Sequence, residues 1–376
     1  MIVALRISFL VLYLGFFHSN FCLAQTNATL MHDGIQRSYV YYVPSNWTPT
    51  ASVPLMIVLH GLTQTGAGLM NITQFNSIAE ANNFIVCYPD GINNAWNANM
   101  NITVSSADDL GFIEALASNF QTQWQTDPSR QYLVGFSNGG FMSHKLACES
   151  SMCFAAIASV SGNMSDTTYV NCNPDFSPSI LHIHGTNDLV VPYNGGAQTG
   201  VSVDQTMAKW STFLNCNGSP TQVQMPNTNF TDLSSPTLIT YPNCEASLEH
   251  IKITGGGHQW PGISTLLGGA GIINMDFYSP QVIWDFLNGK SCPVLQSDEK
   301  VNIELKYGPN PFHSTLNLEW EIDAKISIYD FQGNQVFSCN ITNKKNVLNL
   351  GHLSDGIYVI QYETTKGISF HKIQKN

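Results

Sequence analysis

Residues 131–148 read QYLVGFSNGGFMSHKLAC and place three signals side by side. The apolar run at 131–134 is typical of a buried strand, and the residues from Gly140 onward have the apolar spacing of a helix. Between them, Ser137 lies in a Gly-Phe-Ser-Asn-Gly turn, where small neighbours leave room for a strained backbone and an exposed hydroxyl. The stretch therefore predicts a strand–turn–helix unit of a parallel sheet, with Ser137 as a candidate nucleophile.

The chain up to about residue 290 alternates strand-like runs with amphipathic runs, which is typical of a doubly wound, mostly parallel α/β sheet. The predicted strands cover 37–43, 54–60, 83–89, 131–135, 154–160, 180–184 and 250–253, and the predicted helices cover 107–124, 204–214 and 279–287. The carboxyl ends of such strands meet at one edge of the sheet, where open α/β proteins hold their active sites. Catalytic partners of Ser137 are therefore expected at strand ends.

Two acid–base candidates follow predicted strands in the chain order expected of a Ser-Asp-His triad on this fold. Asp188 comes after the strand at 180–184, and His258 lies in the glycine-rich segment 255–262 after the strand at 250–253. In this interpretation His258 takes the proton of Ser137, and Asp188 fixes the imidazole tautomer. Singly, Asp188 fits a turn-forming role and His258 a surface loop equally well, but their order and positions favour the triad.

An oxyanion formed at the nucleophile needs backbone N–H donors. The N–H of Asn138, directly after the nucleophile, is the first candidate. The loop after His60 is expected to supply the second donor, from Leu62 or Thr63. We expect His60 to shape this loop rather than to transfer a proton.

The histidines at 182 and 184 raise a metal site as an alternative hypothesis. His182 and His184 lie on one face of a predicted strand that leads to Asp188, and core packing explains that placement better than metal binding does. The sequence has no CxxC pair and no His/Cys cluster with ligand spacing. Core packing is therefore the preferred interpretation, and we expect no metal and no cofactor.

The charge balance restricts the partners of the chain. Its 376 residues carry a formal net charge of −11, and only 11% of them are charged. Nucleic-acid binding requires a basic surface, so the charge argues against it. An uncharged substrate is favoured over a polyanionic one.

The first 24 residues predict a secretory signal peptide. Arg6 supplies the positive start, residues 7–17 form an apolar run, and small residues precede position 25. The alternative is an N-terminal membrane anchor, but the run is shorter than the ~20 residues that span a bilayer. No other segment predicts a membrane span, so we expect a secreted protein.

Eight cysteines follow the predicted signal peptide, and export permits disulfides between them. Cys216 and Cys244 flank a polar insertion and are the preferred pair. A bond from Cys172 to either Cys148 or Cys153 is a second hypothesis.

Several motifs between residues 30 and 290 resemble the polyhydroxybutyrate-depolymerase-like esterases, a group that overlaps the feruloyl and acetylxylan esterases of carbohydrate esterase family one. The matching segments are 33–44, 59–61, 88–91, 96–97, 108–112, 135–140, 146–149, 184–188 and 257–262. The resemblance implies an α/β-hydrolase fold over 25–290 and the triad Ser137, Asp188 and His258. It also suggests that Trp96 and Trp260 line the acyl or sugar site, although both positions fit a core residue equally well.

The composition changes near residue 290, and short alternating runs beyond it predict a small all-β, sandwich-like domain at 305–376 after a linker at 291–304. Segments 307–312, 329–333 and 356–359 resemble the C-terminal sorting domain of type IX secretion. The resemblance implies that the type IX secretion machinery is a partner. A carbohydrate-binding β-sandwich is the alternative, and Trp320 is the only tryptophan available to it.

These observations predict a secreted serine carboxylesterase that acts on an ester-bearing polymer or oligomer. The preferred substrate is feruloyl or acetyl ester on plant polysaccharide. One alternative is a polyhydroxyalkanoate depolymerase, and another is a non-catalytic surface or carbohydrate-binding protein. An intact set of Ser137, Asp188 and His258 argues against the non-catalytic alternative.

Overall fold

A computed structural model of the chain describes residues 25–101, 104–265, 271–293, 305–319, 323–330, 334–342, 345–364 and 367–376. The predicted signal peptide, most of the predicted linker and Trp320 lie outside these ranges. The backbone divides into two compact units, Met1–Pro293 and Val294–Asn376.

The first unit is built on one ten-stranded sheet with the strand order β1-β2-β4-β3-β5-β6-β7-β10-β9-β8. The strands are Thr26–His32 (β1), Ile35–Tyr42 (β2), Leu55–Leu59 (β3), Ile85–Pro89 (β4), Gln131–Phe136 (β5), Ala156–Val160 (β6), Ser179–Gly185 (β7), Thr221–Gln224 (β8), Ser235–Tyr241 (β9) and Leu248–Thr254 (β10). The six strands from β4 to β10 in this order pair in parallel, and the strands at both edges pair antiparallel. The mostly parallel α/β sheet predicted from the sequence is confirmed.

Among the residues that the structure describes, seven α-helices cover the two faces of this sheet: Gly66–Thr73 (α1), Phe75–Asn82 (α2), Asp109–Trp124 (α3), Asn138–Glu149 (α4), Asp166–Asn171 (α5), Val203–Phe213 (α6) and Ser279–Leu287 (α7). Alternate residues of β3 contribute to opposite cores, because successive side chains of a strand point to opposite faces. Leu55 and Ile57 join the core that contains α3, α4 and α6 residues, whereas Met56 and Val58 join the core that contains α1, α2 and α7 residues. Burial on both faces explains why the central strands read as continuous apolar runs.

The strand order reverses at β3, because β4 lies on one side of it and β5 on the other. Ligand sites of open α/β sheets form beyond the carboxyl ends of the strands at such a reversal. The loop after β3 and the turn after β5 therefore lie at the position where a site is expected.

The second unit is all-β, as the sequence predicts. Its strands are Lys306–Gly308 (β11), Thr315–Glu319 (β12), Ala324–Tyr329 (β13), Gln335–Ile341 (β14), Lys345–Asn349 (β15), Gly356–Thr364 (β16) and Gly367–Lys375 (β17). They form an antiparallel three-stranded sheet, β11-β12-β15, and an antiparallel four-stranded sheet, β14-β13-β16-β17. Both sheets contribute apolar residues to one core, which includes Leu316 and Ile360.

Three disulfides join described cysteines of the first unit. They join Cys148 to Cys172, Cys153 to Cys292 and Cys216 to Cys244. The bond between Cys153 and Cys292 differs from the expected pairing, in which Cys153 is only a possible partner of Cys172. Among the described residues, no helix has the length and apolar character needed to cross a membrane.

Candidate active site

Ser137 sits on a sharp turn between β5 and α4. Its backbone has φ 53° and ψ −118°, a conformation that non-glycine residues rarely adopt. A Cβ atom on Gly135 would lie 2.0 Å from the Gly139 carbonyl oxygen, and one on Gly139 would lie 2.2 Å from the Leu59 carbonyl oxygen. The two glycines of the motif are therefore required by close packing of strand, turn and helix, which holds Ser137 in its strained conformation.

Backbone hydrogen bonds hold this turn on both sides. The Ser137 N–H donates to the Val160 carbonyl at 2.9 Å, and the Ser137 carbonyl accepts from the N–H groups of Gly140 and Phe141. The Asn138 N–H precedes these first helical bonds, so it belongs to the N–H groups that a helix leaves without an internal acceptor. It remains available as an oxyanion donor.

The structure joins Asp188 and His258 by a short hydrogen bond. Asp188 Oδ2 lies 2.7 Å from His258 Nδ1, and both side chains are buried. Asp188 Oδ1 accepts from the backbone N–H groups of Val190 at 2.9 Å and Val191 at 2.7 Å. Burial opposes ionisation of Asp188, but hydrogen bonds from His184 and His258 outweigh it and hold the pKa of the carboxyl well below its usual value.

The loops that carry the acid and the base meet beside the serine turn. A Cβ atom on Gly185, at the end of β7, would lie 2.2 Å from the Gly256 carbonyl oxygen. The His258 ring packs on Phe136 with the ring centroids 5.0 Å apart, and Phe136 directly precedes Ser137. The three residues of the predicted triad thus follow parallel strands of one sheet and gather at its carboxyl edge.

The loop after β3 excludes Thr63, one of the two residues predicted to supply the second oxyanion donor. The Thr63 N–H donates to the Asn94 carbonyl at 2.8 Å, so it is engaged within the protein. Leu62 is the remaining candidate. His60 shapes this loop, as expected: its Nδ1–H donates to the Gly61 carbonyl at 2.8 Å, and its Nε2 accepts from the Gly91 N–H at 2.9 Å.

Trp96 and Trp260 are core residues, so the structure does not support the expectation that they line the substrate site. Trp96 is 0% exposed and Trp260 is 1% exposed. The Trp96 indole N–H donates to the His60 carbonyl at 2.9 Å, and its backbone N–H donates to Asn138 Oδ1 at 2.7 Å. Trp260 stacks against Phe136 with ring centroids 5.9 Å apart.

The Asn138 side chain has a structural role that the sequence does not predict. Its Oδ1 accepts from the Trp96 N–H, and its Nδ2 donates to the Trp96 carbonyl at 3.2 Å. The same residue therefore offers an oxyanion donor through its backbone and fastens the neighbouring loop through its amide. The pattern of the turn alone carries no signal for this second role, because Trp96 lies 42 positions away.

Two segments beside the His258 loop, residues 225–234 and residues 271–277, are joined by hydrogen bonds. Asp276 Oδ1 accepts from the N–H groups of Thr228 and Asn229, and the Gly257 N–H donates to the Ile272 carbonyl at 2.8 Å. Phe230, on the first of these segments, is 80% exposed. An apolar aromatic ring is thus presented to solvent on a segment connected to the His258 loop.

In the part of the chain that the structure describes, no group of three or more His, Cys, Asp or Glu side chains is arranged to hold a metal ion. His182 and His184 are buried, and their rings stack on each other with centroids 5.3 Å apart.

Two sequence families match the chain. Residues 48–212 match the family described as Phospholipase/Carboxylesterase, and residues 307–376 match the family described as Secretion system C-terminal sorting domain. The second match supports the sorting interpretation of the tail over a carbohydrate-binding module.

Individual relatives are esterases. Feruloyl esterase C of Emericella nidulans is 30% identical over 263 residues, which cover 66% of this chain and 83% of that protein. A bifunctional acetylxylan esterase/xylanase of Neocallimastix patriciarum is 26% identical over 60% of this chain, and feruloyl esterase B of Piromyces equi is 28% identical over 59% of it. The chain spans only 31% and 42% of the length of these two larger proteins.

The solved structure of acetyl xylan esterase from Aspergillus awamori has the same fold. It superposes with a TM-score of 0.51 and 16% sequence identity, covering 70% of this chain and 98% of that one.

Proposed function

We propose that this chain, which belongs to the feruloyl esterase C family, is a carboxylic ester hydrolase that cleaves its substrate through an acyl-enzyme formed on Ser137. The observation that carries this proposal is the 2.7 Å hydrogen bond between Asp188 and His258, whose ring packs directly beside the serine turn. A strained turn that carries a partly exposed serine beside a buried Asp–His pair is the arrangement that acyl transfer requires.

In the proposed mechanism, the Ser137 hydroxyl attacks the ester carbonyl while His258 Nε2 accepts its proton. The bond from His258 Nδ1–H to Asp188 keeps Nε2 free of a proton before the attack and stabilises the imidazolium that forms. His258 then gives the proton to the leaving alcohol, and a water molecule repeats the sequence to release the acid.

The oxyanion of the tetrahedral intermediate accepts hydrogen bonds from the backbone N–H groups of Asn138 and Leu62. The Asn138 amide and the Trp96 indole hold the two loops that carry these donors, so the donors are oriented before the substrate binds. One such donor contributes about 10²–10³ in rate.

Feruloyl or acetyl ester on plant polysaccharide is the proposed substrate. The names of the relatives support these two acyl groups, and the net charge of −11 disfavours a polyanionic polymer. The sorting domain at 307–376 indicates export to the cell surface or the medium, where an insoluble polysaccharide is accessible. The three disulfides agree with an exported protein.

The nucleophile is tested with Ser137→Ala. We expect hydrolysis of p-nitrophenyl acetate to be lost and the melting temperature to stay near that of the wild type. Ser118→Ala, an exposed helical serine that bonds to the Glu114 carbonyl, is the matched control and should retain activity. Substantial activity of Ser137→Ala would contradict the assignment.

The substrate is tested by comparing methyl ferulate, acetylated xylan and polyhydroxybutyrate granules with the wild-type protein. We expect release of ferulate or acetate. Hydrolysis of the granules alone would contradict the proposed substrate and leave the nucleophile assignment intact.

A further inference from the structure

A pair of buried histidines lies behind the acid of the proposed triad. His182 and His184 are on β7, exposed by 1% or less, and His182 Nε2 lies 3.2 Å from His184 Nδ1. Neither ring takes part in the proposed proton transfer between Ser137 and His258. Two buried polar rings in contact need a physical reason, because burying polar groups without partners costs free energy.

The hydrogen-bond partners of His184 determine which of the two rings donates to the other. His184 Nε2 lies 2.8 Å from the Val191 carbonyl, which only accepts, so Nε2 carries the proton in the neutral ring. Nδ1 of His184 is then an acceptor, and the His182 Nε2–H donates to it. Burial, with His184, His250 and His144 around the ring, lowers the pKa of His182 well below its usual value, so His182 is neutral.

This direction brings an N–H to the catalytic carboxylate. His184 Nε2 lies 3.4 Å from Asp188 Oδ2, the same oxygen that accepts from His258. The other oxygen, Oδ1, is held by the N–H groups of Val190 and Val191. His184 therefore contacts both ends of the Asp188 turn, since it binds the Val191 carbonyl and faces the carboxylate.

We propose that His184 is a positioning residue for the Asp188 carboxylate, and that His182 fixes the His184 tautomer that this role requires. The proposal rests on the proposed role of Asp188 in the reaction. When His258 becomes an imidazolium, its Nδ1–H must meet a carboxylate oxygen that does not rotate away. With the opposite tautomer, His184 would present a bare nitrogen to two oxygens and would repel both.

The first test removes the His184 N–H and then restores it. His184→Met should lower kcat for p-nitrophenyl acetate by about tenfold, equivalent to about 1.4 kcal/mol, with KM changed by less than about twofold. His184→Gln should recover most of kcat, because its amide nitrogen takes the place of Nε2. His184→Asn, whose amide takes the place of Nδ1 instead, should not recover it.

The second test asks whether His182 acts through His184. His182→Met should lower kcat by about threefold, and the double variant with His184→Met should be no slower than His184→Met alone. Losses that multiply would contradict the proposal.

His144→Met is the matched control for loss of a buried ring. The His144 ring packs against the His182 ring with centroids 5.6 Å apart, and its Nδ1 accepts from the Trp210 indole at 3.1 Å. It should lower the melting temperature about as much as His184→Met while kcat stays within about twofold of wild type.

The outcomes separate the two proposals. Equal kcat for His184→Met and His144→Met, or equal kcat for the folded Gln and Asn variants of His184, would overturn the positioning role. If either Met variant fails to fold, the comparison of kcat between His184→Gln and His184→Asn still tests the positioning role. Should Ser137→Ala remain active, the proposed function itself is wrong; should it be inactive while His184→Met is unimpaired, only the positioning role is wrong.

Discussion

The substitution Asp188→Asn should destroy the base without disturbing the turn that carries it. The introduced amide oxygen is expected to keep the bonds from the Val190 and Val191 N–H groups, because the amide nitrogen cannot accept them. The amide NH₂ then faces His258 Nδ1 in place of Oδ2. His258 must move its proton to Nε2 to accept that donor, so Nε2 no longer accepts a proton from Ser137.

The expected loss in kcat is on the order of 10⁴, which corresponds to about 5.4 kcal/mol of transition-state stabilisation. The stability loss is smaller, about 1.5–3 kcal/mol, because the bond with His258 is replaced by one of opposite direction, only the contact with the His184 N–H is lost, and the two backbone bonds remain. The pKa of Asp188 is depressed in the folded state, so its contribution to stability is complete above the unfolded value and declines as the pH falls below it. The stability difference between wild type and variant should therefore shrink at pH below about 4.

Two measurements test this reasoning. Steady-state hydrolysis of p-nitrophenyl acetate gives kcat, and urea unfolding at pH 7 and at pH 3 gives the stability difference. Asp166→Asn is the control, because Asp166 accepts from the exposed Asn101 amide, a bond that involves none of the three triad residues. A loss of kcat smaller than about tenfold for Asp188→Asn would refute the tautomer argument.

Three further changes test the architecture. Arg37→Met should lower the free energy of unfolding by about 3–5 kcal/mol in urea titrations, because it leaves the Asp109 carboxylate, 2.6 Å away, buried without its cation. Replacing Cys153 and Cys292 by Ala should lower the free energy of unfolding by up to about 5 kcal/mol by the loop-entropy relation, since that bond closes a loop of 139 residues. Removing either of the bonds that close loops of 24 and 28 residues should lower it by about 3.5 kcal/mol. Deleting 294–376 should leave the kcat of the purified protein unchanged and abolish export, and export of the truncated chain, detected in the medium, would contradict the sorting role.

The serine turn was predictable because its determinants are local. A buried strand, a serine between two glycines and an amphipathic helix lie within 18 residues, and the steric need for Gly135 and Gly139 acts between neighbouring elements. Asp188 and His258 were predictable as candidates because each follows an apolar strand. That the two residues contact each other, as they do at 2.7 Å, followed only from the expected fold, because nothing in either segment specifies the partner.

The failed predictions concern contacts between segments that are distant in the chain. Thr63 is unsuitable as a donor because a carbonyl from a different loop occupies its N–H. Eight cysteines allow many pairings, and composition does not indicate that residues 153 and 292 approach each other. In each case the deciding contact is set by tertiary packing rather than by local preference.

Because Trp96 is buried, it is not suited to distinguish one substrate from another. Trp96 binds the His60 carbonyl and the Asn138 amide, so it fixes both loops that carry oxyanion donors, and a change there would disturb every ester alike. The segments at 225–234 and 271–277 are instead joined to the His258 loop from outside the core, and the first of them exposes Phe230. Uniform binding by such outer contacts alters KM more than kcat, because the reacting atoms do not move. We therefore propose that the preference of this protein for one acyl or sugar group is encoded in these outer segments rather than at the buried Trp96.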